Sequence, residues 1–209
     1  MTLADDYKEV ITEIGEPATI LRVTGNVSGQ MIHTKVNAQI TKPFIREFFM
    51  EADLPSDSLI VAGDVFRLAD NRVFLVMNKT PKTFEAETYR HTAVLYKCNA
   101  AGALFRPFQR KVAHKAEIIW ARIVDPCYAL ITESFYGHEL EDKDPVGPVS
   151  KLAMDCYVSH SSGVQKGDRY FISATEYFQV ESIMTRRYDS VDIALLGEDT
   201  RGSEMMVSG

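Results

Sequence analysis

The sequence predicts a mainly β protein with a small β-barrel or sandwich core, long loops and one short helix. Short runs of β-branched and aromatic residues, each bounded by turn residues, recur along the chain, which is typical of antiparallel sheets. A Gly-Asp hairpin motif occurs twice, which indicates a repeated hairpin unit. The 209 residues are 45% hydrophobic and 25% charged, the composition of a globular protein large enough to bury a core.

The elements follow from local patterns. A helix is predicted over residues 43–52, because Thr41 is a suitable N-cap, Pro43 suits a first turn, and Phe44 and Phe48 lie four residues apart. Residues 99–102 are predicted to form a hairpin loop, and residues 78–89 and 136–149 long surface loops. The predicted β-rich segments are residues 18–24, 31–40, 59–68, 72–78, 92–98, 104–108, 118–124, 128–133, 151–159 and 168–196.

The repeated hairpin is the clearest internal pattern. VAGDVFRLADNRVFLVMNK, from Val61, aligns without a gap with QKGDRYFISATEYFQVESI, from Gln165. Gly63-Asp64 thereby matches Gly167-Asp168, an offset of 167 − 63 = 104. In each copy we expect Gly-Asp to form the turn that starts the hairpin, since Gly tolerates positive φ and Asp bonds nearby backbone. A duplicated small barrel, or one pseudo-symmetric barrel, explains this better than chance similarity of two hairpins.

The domain organisation is predicted as a single β-rich structural domain, residues 1–209. Within it, sub-units 1–137 and 150–209 would be joined by an acidic loop at 138–149. That segment, HELEDKDPVGPV, contains two prolines and a glycine, which is typical of a surface loop or linker.

The residue patterns predict no enzyme, no cofactor and no metal site. The cysteines are too far apart for a zinc knuckle or redox motif, so free, partly buried thiols are expected. No glycine-rich phosphate loop or nucleophile elbow is present. None of the five histidines has metal-ligand spacing; they are His33, His91, His114, His138 and His160.

Two charged segments are candidate interaction sites. The formal net charge of -6 argues against a free-standing nucleic-acid binder. A basic stretch with interleaved aromatic residues could still meet a nucleic-acid backbone or an acidic protein, although a solvated strand edge is the simpler interpretation. Its charged members are Arg106, Arg110, Lys111 and Lys115. An acidic group, also consistent with a solvated loop, comprises Glu139, Glu141, Asp142 and Asp144.

Three segments carry a resemblance to a known family. The pattern of Gly-Asp, aromatic residue, small turn and Tyr/Phe-x-Val, followed by an apolar strand, resembles the C-terminal half of tailed-bacteriophage head-closure proteins. These proteins are also called head–tail connector stoppers or neck proteins. TAVLYKCNAAGALFRPF and EIGEPATILR are similar to further segments of that family, although each motif is short. The chain is longer than the small members and has an inserted middle segment.

The resemblance implies a virion structural protein assembled in the bacterial host cytoplasm. Copies would form a ring at the head–tail junction that completes and closes the DNA-filled head, docks the tail, and lets packaged double-stranded DNA pass through a channel during genome ejection. The partners would be copies of itself, portal or adaptor proteins and tail proteins, with no membrane. The acidic group at 139–144 would line the channel. Alternatives are another tail component (tail terminator, adaptor or hub), or a β-barrel enzyme with His114 or His160 as a base in a pocket shared with a carboxylate.

Overall fold

The computed structural model describes residues 2–22, 25–36, 47–112, 115–133 and 154–201. The chain forms two compact units, one of Met1–Asn99 with Arg187–Val191 and one of Ala100–Arg186 with Asp192–Gly209. Each unit contains a closed barrel of six strands. The predicted fold class, mainly β with a β-barrel core and a short helix, is therefore confirmed.

The first unit begins with a helix and continues with six strands. Helix α1 (Leu3–Ile14) starts at a capping box in which Thr2 and Asp5 accept from each other's backbone N–H groups. The strands are β1 (Glu16–Leu21), β2 (Val27–Val36), β3 (Phe49–Pro55), β4 (Val65–Leu68), β5 (Val73–Phe84) and β6 (Glu87–Lys97). Their order in the barrel is β1-β2-β3-β6-β5-β4, and pairing of β4 with β1 closes it.

The core of this barrel is built from alternate residues of its strands. Successive side chains of a strand point to opposite faces, so residues two apart share the barrel interior. Phe66 and Phe74 face each other across the β4–β5 pair and stack at a centroid distance of 5.5 Å. The buried core comprises Ala18, Ile20, Ile32, Ala52, Leu54, Ile60, Phe66, Leu68, Phe74, Val76, Ala93 and Leu95.

The second unit repeats this arrangement. Its strands are β7 (Ala100–Val112), β8 (Lys115–Glu133), β9 (Met154–Ser159), β10 (Arg169–Ser173), β11 (Glu176–Met184) and β12 (Val191–Glu198), with a short 3-10 helix at His160–Ser162. Around the barrel the order is β7-β8-β9-β12-β11-β10, which is the order of the first barrel shifted by six strands. The buried core comprises Leu104, Cys127, Ala129, Cys156, Val158, Val164, Tyr170, Val180, Ala194 and Leu196.

The two barrels match residue by residue, not only in strand order. Ile20 pairs with Val27 in the first barrel, and Leu104 pairs with Val124 at the equivalent place in the second. An irregularity in β1 between residues 18 and 20 has its counterpart in β7 between residues 102 and 104. Another, between residues 76 and 78 of β5, recurs between residues 180 and 182 of β11. The repeated hairpin predicted from sequence is thus one part of a repeat that includes all six strands.

The helix predicted over residues 43–52 is wrong from Phe49 onward. Glu47 and Phe48 are helical, but Phe49–Pro55 form β3, and residues 43–46 lie outside the described part of the chain. Met50, Ala52 and Leu54, at a spacing of two, all pack into the barrel core, and this burial outweighs the local helical spacing of the aromatic residues. The helix that does form, α1, was not predicted.

Two predicted loops are also corrected. Residues 78–89 belong to a hairpin made by the far ends of β5 and β6, which stay paired up to Phe84 and Glu87. Residues 99–102 are not a hairpin loop, because β6 pairs with β3 and β5 while β7 pairs with β8 and β10. The strands on either side of this junction therefore belong to different barrels.

The boundary between the units falls between Asn99 and Ala100. The sequence analysis expected one domain with a joining segment at 138–149, and that segment lies outside the described residues. In the described part of the chain, no helix is both long and apolar enough to cross a membrane.

Candidate assembly surface

The Gly-Asp turn of the first barrel is held by a closed hydrogen-bond network. Gly63 has a φ of 84°, the left-handed conformation that the third residue of a type II turn requires. The Asp64 backbone N–H donates to the Val61 carbonyl at 3.2 Å, and the Val61 N–H donates to Asp64 Oδ2 at 2.9 Å. Arg22 then clamps the turn: its Nε and Nη2 donate to the two Asp64 carboxylate oxygens at 2.8 and 2.6 Å, and Nη2 also donates to the Leu59 carbonyl.

The second barrel contains the same network at equivalent positions. Gly167 has a φ of 90°, and the Gln165 N–H donates to Asp168 Oδ2 at 2.7 Å. Arg106 Nε and Nη2 donate to the two Asp168 oxygens, both at 2.9 Å, and Nη2 also donates to the Gly163 carbonyl at 2.6 Å. The turn residues predicted from sequence, Gly63, Asp64, Gly167 and Asp168, therefore start two clamped hairpins.

The clamp changes the interpretation of Arg106. The sequence analysis grouped it with the partner-binding residues, whereas its guanidinium is bound bidentately to a carboxylate that is only 1% exposed. The hydrogen bonds from Asp168 also raise the pKa of Arg106, so the pair remains charged. One sequence signal could have revealed this: Arg22 ends ILR and Arg106 ends LFR, both just after core residues of the first strand of a barrel.

A two-stranded ribbon formed by β7 and β8 distinguishes the second barrel from the first. Between the equivalent positions Arg106 and Val124 lie 17 residues, 107–123, whereas between Arg22 and Val27 lie four, 23–26. The insertion is therefore 17 − 4 = 13 residues. It keeps regular antiparallel pairing, for example Phe108 with Ile119.

The outer edges of the ribbon carry backbone groups without a described strand partner. β7 pairs with β10 only at residues 103–105, and β8 pairs with β9 only at residues 129–133. In the described pairings, residues 106–112 of β7 and 115–124 of β8 therefore bond only to each other. Phe108 and Ile118 are 50% and 55% exposed, and Arg110 is also exposed. An open, partly apolar edge of this kind is a template for pairing with another chain.

The other predicted interaction residues are placed as follows. Lys111 and Lys115 lie near the tip of the ribbon, paired in register with Ala116 and Val112. The acidic group Glu139, Glu141, Asp142 and Asp144 lies outside the described residues. The ribbon thus brings together three of the four predicted basic residues.

Helix α1 is pinned to the outside of the first barrel. Ile11 is 1% exposed. The Tyr7 hydroxyl donates to Asp53 Oδ2 at 3.0 Å and accepts from Arg90 Nη1 at 2.5 Å, while Lys35 forms an ion pair with Asp53 at 2.5 Å. Burial, together with the negative charge of Asp53, raises the pKa of Tyr7. The helix therefore docks through one edge of its apolar face.

The other edge of that apolar face remains uncovered. Leu3, Val10 and Ile14 are 45%, 46% and 54% exposed, and their spacing of seven and four residues places them on one stripe of the helix. Exposed acidic residues flank this stripe, namely Asp6, Glu9 and Glu13. Leu3 also lines a groove with Phe84 and Tyr89 at the end of the β5–β6 hairpin. The first unit therefore presents an apolar stripe with an acidic border.

A separate polar cluster covers the outer side of the second barrel. Arg169 stacks over Trp120 at 4.1 Å and donates to Asp199 Oδ2 at 2.6 Å, with both charged side chains essentially inaccessible. Arg201 completes the cluster by donating to both Asp199 oxygens. Burial alone would raise the pKa of Asp199, but the hydrogen bonds from Arg201 and Arg169 outweigh it and hold that pKa far below its usual range. This cluster fixes the segment after β12 onto the barrel.

One histidine–carboxylate pair bears on the enzyme alternative. His160 Nδ1 lies 3.0 Å from both carboxylate oxygens of Asp192. The His160 side chain is 65% exposed, whereas Asp192 is 4% exposed. His114 lies outside the described residues. In the described ranges, no group of three histidine, cysteine, aspartate or glutamate residues is arranged to hold a metal ion.

Comparisons with protein-family models, curated proteins and solved structures found no match.

Proposed function

We propose that this chain is a structural protein of a tailed-bacteriophage virion, which forms a ring at the head–tail junction, closes the DNA-filled head and docks the tail. The observation that supports this proposal most is the β7–β8 ribbon. It extends from a closed barrel with unpaired backbone edges and with Phe108 and Ile118 exposed.

The physical argument concerns what such a ribbon needs. A two-stranded hairpin is marginally stable by itself in water, and its edges readily accept a strand from another chain. A barrel has no free edge of its own, so strand addition is confined to the ribbon. When the surfaces that meet on two copies differ, repetition of the contact produces a closed ring if the rotation between copies closes.

The internal polar clusters support an architectural role. The two Arg-Asp clamps and the Trp120 cluster use their charged groups to hold turns and a chain segment in place. They fix rigid barrels from which the ribbon is presented, which is the arrangement expected of a protein that works by shape and strand pairing.

The proposal includes the passage of DNA. The net charge of -6 would keep DNA from adhering to the ring, and the acidic group Glu139, Glu141, Asp142 and Asp144 is the proposed channel lining. Replacing these four residues by their amides should impair DNA retention or ejection while the particle still assembles. Unchanged retention and ejection in that variant would remove the acidic group from the proposal.

The main experiment combines electron microscopy with a shortened ribbon. Residues 109–118 are replaced by Asn-Gly, a sequence that favours the tight turn needed between Phe108 and Ile119 and leaves Trp120 in place. In the control, Ala174-Thr175 at the β10–β11 turn is replaced by Asn-Gly. Antibody labelling of intact particles should locate the protein at the head–tail junction, and only the ribbon variant should yield heads without tails.

Particles that assemble normally with the shortened ribbon would refute the proposed role of the ribbon. Labelling along or at the far end of the tail would favour the alternative of a tail terminator, adaptor or hub. The His160–Asp192 pair is the observation that favours an enzyme instead. That alternative predicts that His160→Ala abolishes an activity of the purified protein, whereas the assembly proposal predicts normal infectivity of the same variant.

A further inference from the structure

We infer that neighbouring copies contact each other through α1 of one copy and the β7–β8 ribbon of the next. This inference rests on the proposed function, because it names the two surfaces that would form the ring. It starts from a comparison of the two barrels, which reveals what has been added to each.

Helix α1 and the ribbon are the two described elements without an equivalent in the other barrel. β7 begins at Ala100, immediately after the first unit ends at Asn99, so no helix precedes it. The ribbon is an insertion of 13 residues, as counted above from 17 − 4. The β5–β6 hairpin differs much less, since residues 81–91 correspond to residues 185–192, a difference of 11 − 8 = 3. The barrels fold without these additions, so the additions are available for a separate purpose.

Both elements leave apolar side chains uncovered. On α1 these are Leu3, Val10 and Ile14, and on the ribbon they are Phe108 and Ile118. The lengths also correspond: α1 has 12 residues, or about 18 Å at about 1.5 Å per residue. The ribbon strand over residues 107–112 is about 20 Å long at about 3.4 Å per residue. Each surface is therefore large enough to cover the other.

The charges of the two surfaces are opposite. Helix α1 contains Asp5, Asp6, Glu9 and Glu13 against Lys8, a formal charge of −4 + 1 = −3, and Lys8 is itself paired with Asp57. Ribbon residues 107–119 contain Arg110, Lys111 and Lys115 against Glu117, or +3 − 1 = +2. Arg110 lies on the same ribbon face as Phe108, because the two are separated by one residue. An acid-bordered apolar stripe thus meets a base-bordered apolar strand, which favours one orientation of association.

Because the two surfaces differ, the contact is head-to-tail. A head-to-tail contact between identical copies produces a ring or an open filament, whereas a self-complementary contact stops at a dimer. The inference therefore accounts for assembly of more than two copies from a single type of interface.

Charge reversal tests the inference directly. One variant carries Glu9→Lys and Glu13→Lys, a second carries Arg110→Glu and Lys111→Glu, and a third combines all four changes. A control carries Glu176→Lys and Glu198→Lys, which makes the same charge change at exposed positions of β11 and β12. Self-association of the full chain is measured by analytical ultracentrifugation at 50 and 500 mM NaCl as test conditions, with circular dichroism to verify folding.

We expect each two-site variant to associate about tenfold or more weakly than the unaltered chain, since like charges are brought together. The four-site variant should recover most of that loss, the control should match the unaltered chain, and salt should reduce the differences. A full-length chain that stays monomeric, single variants that associate normally, or a four-site variant that fails to recover would each overturn the inference.

Two further outcomes separate this inference from its basis. If the ribbon reversal lowers affinity for duplex DNA without affecting self-association, the ribbon is a nucleic-acid surface and the inference is wrong. If all variants still label the head–tail junction and build normal particles, the proposed function stands while this interface does not. Absence of the protein from the junction refutes the proposed function itself.

Discussion

The Arg-Asp clamp of the second barrel is open to a quantitative test by Arg106→Met. This change keeps a long side chain but removes the guanidinium, and it leaves the Asp168 carboxylate, 1% exposed, with the Gln165 N–H as its described donor. Breaking a buried ion pair by removing one partner costs about 3–5 kcal/mol. Since the Arg106 side chain is 22% exposed and water can partly reach the site, we expect about 3 kcal/mol.

The single tryptophan of the chain makes the assay specific. Trp120 lies in the second unit, so its fluorescence during urea unfolding reports on the barrel that contains the clamp. With a urea dependence of about 2 kcal/mol per molar, a loss of about 3 kcal/mol lowers the midpoint by about 1.5 M. Arg22→Met should have a smaller effect on the first unit, because Asp64 is more exposed, at 8%, than Asp168.

Arg186→Met serves as the control, because Arg186 is exposed and lies in the same unit. Its midpoint should stay within about 0.3 M of the unaltered chain, as is usual for surface changes. If Arg106→Met shifts the midpoint by no more than this control, the clamp contributes little, and the argument that it fixes the hairpin is refuted.

Three further predictions concern the glycine turns, the Asp199 cluster and the thiols. Gly167→Ala should destabilise by about 1 kcal/mol, since only the positive φ opposes it; Gly63→Ala should cost more, because its new Cβ would lie 2.5 Å from a backbone oxygen, and both are measured by urea unfolding. Asp199→Asn should lower stability at pH 7, but because the folded pKa of Asp199 is depressed, the difference from the unaltered chain should be constant above about pH 5 and shrink as the pH falls below about 4; a difference unchanged at pH 3 would contradict this. Burial raises the pKa of Cys127 to about 12, so at pH 8 a thiol reagent should modify Cys98 in the folded chain, and labelling of Cys127 before unfolding would count against its burial.

The hairpin repeat was predictable because its signals are local. Gly63-Asp64 and Gly167-Asp168 stand at the same distance from their hairpin strands, so an alignment without gaps detects them. The required conformations are also local, since a positive φ selects glycine and a short carboxylate can accept from nearby N–H groups. The capping box of Thr2 and Asp5 is an equally local signal, and it would have predicted α1.

The clamp arginines were not predictable in the same way. Arg22 and Arg106 differ by 106 − 22 = 84, whereas the aspartates differ by 168 − 64 = 104. The discrepancy arises because insertions lie between each arginine and its aspartate, including the ribbon, so no single offset aligns both partners. In sequence alone, Arg106 is one of several positive charges beside aromatic residues.

The sequence by itself determined that the chain is mainly β, where its turns fall, and that one hairpin occurs twice, because alternating burial and turn chemistry act over a few residues. Only the tertiary structure decided that the strands close into two barrels, that residues 49–55 form a strand, and that Arg106 points to Asp168 instead of to a partner. These outcomes depend on which distant strands pair, and burial in a closed barrel can override the local preferences that a sequence displays.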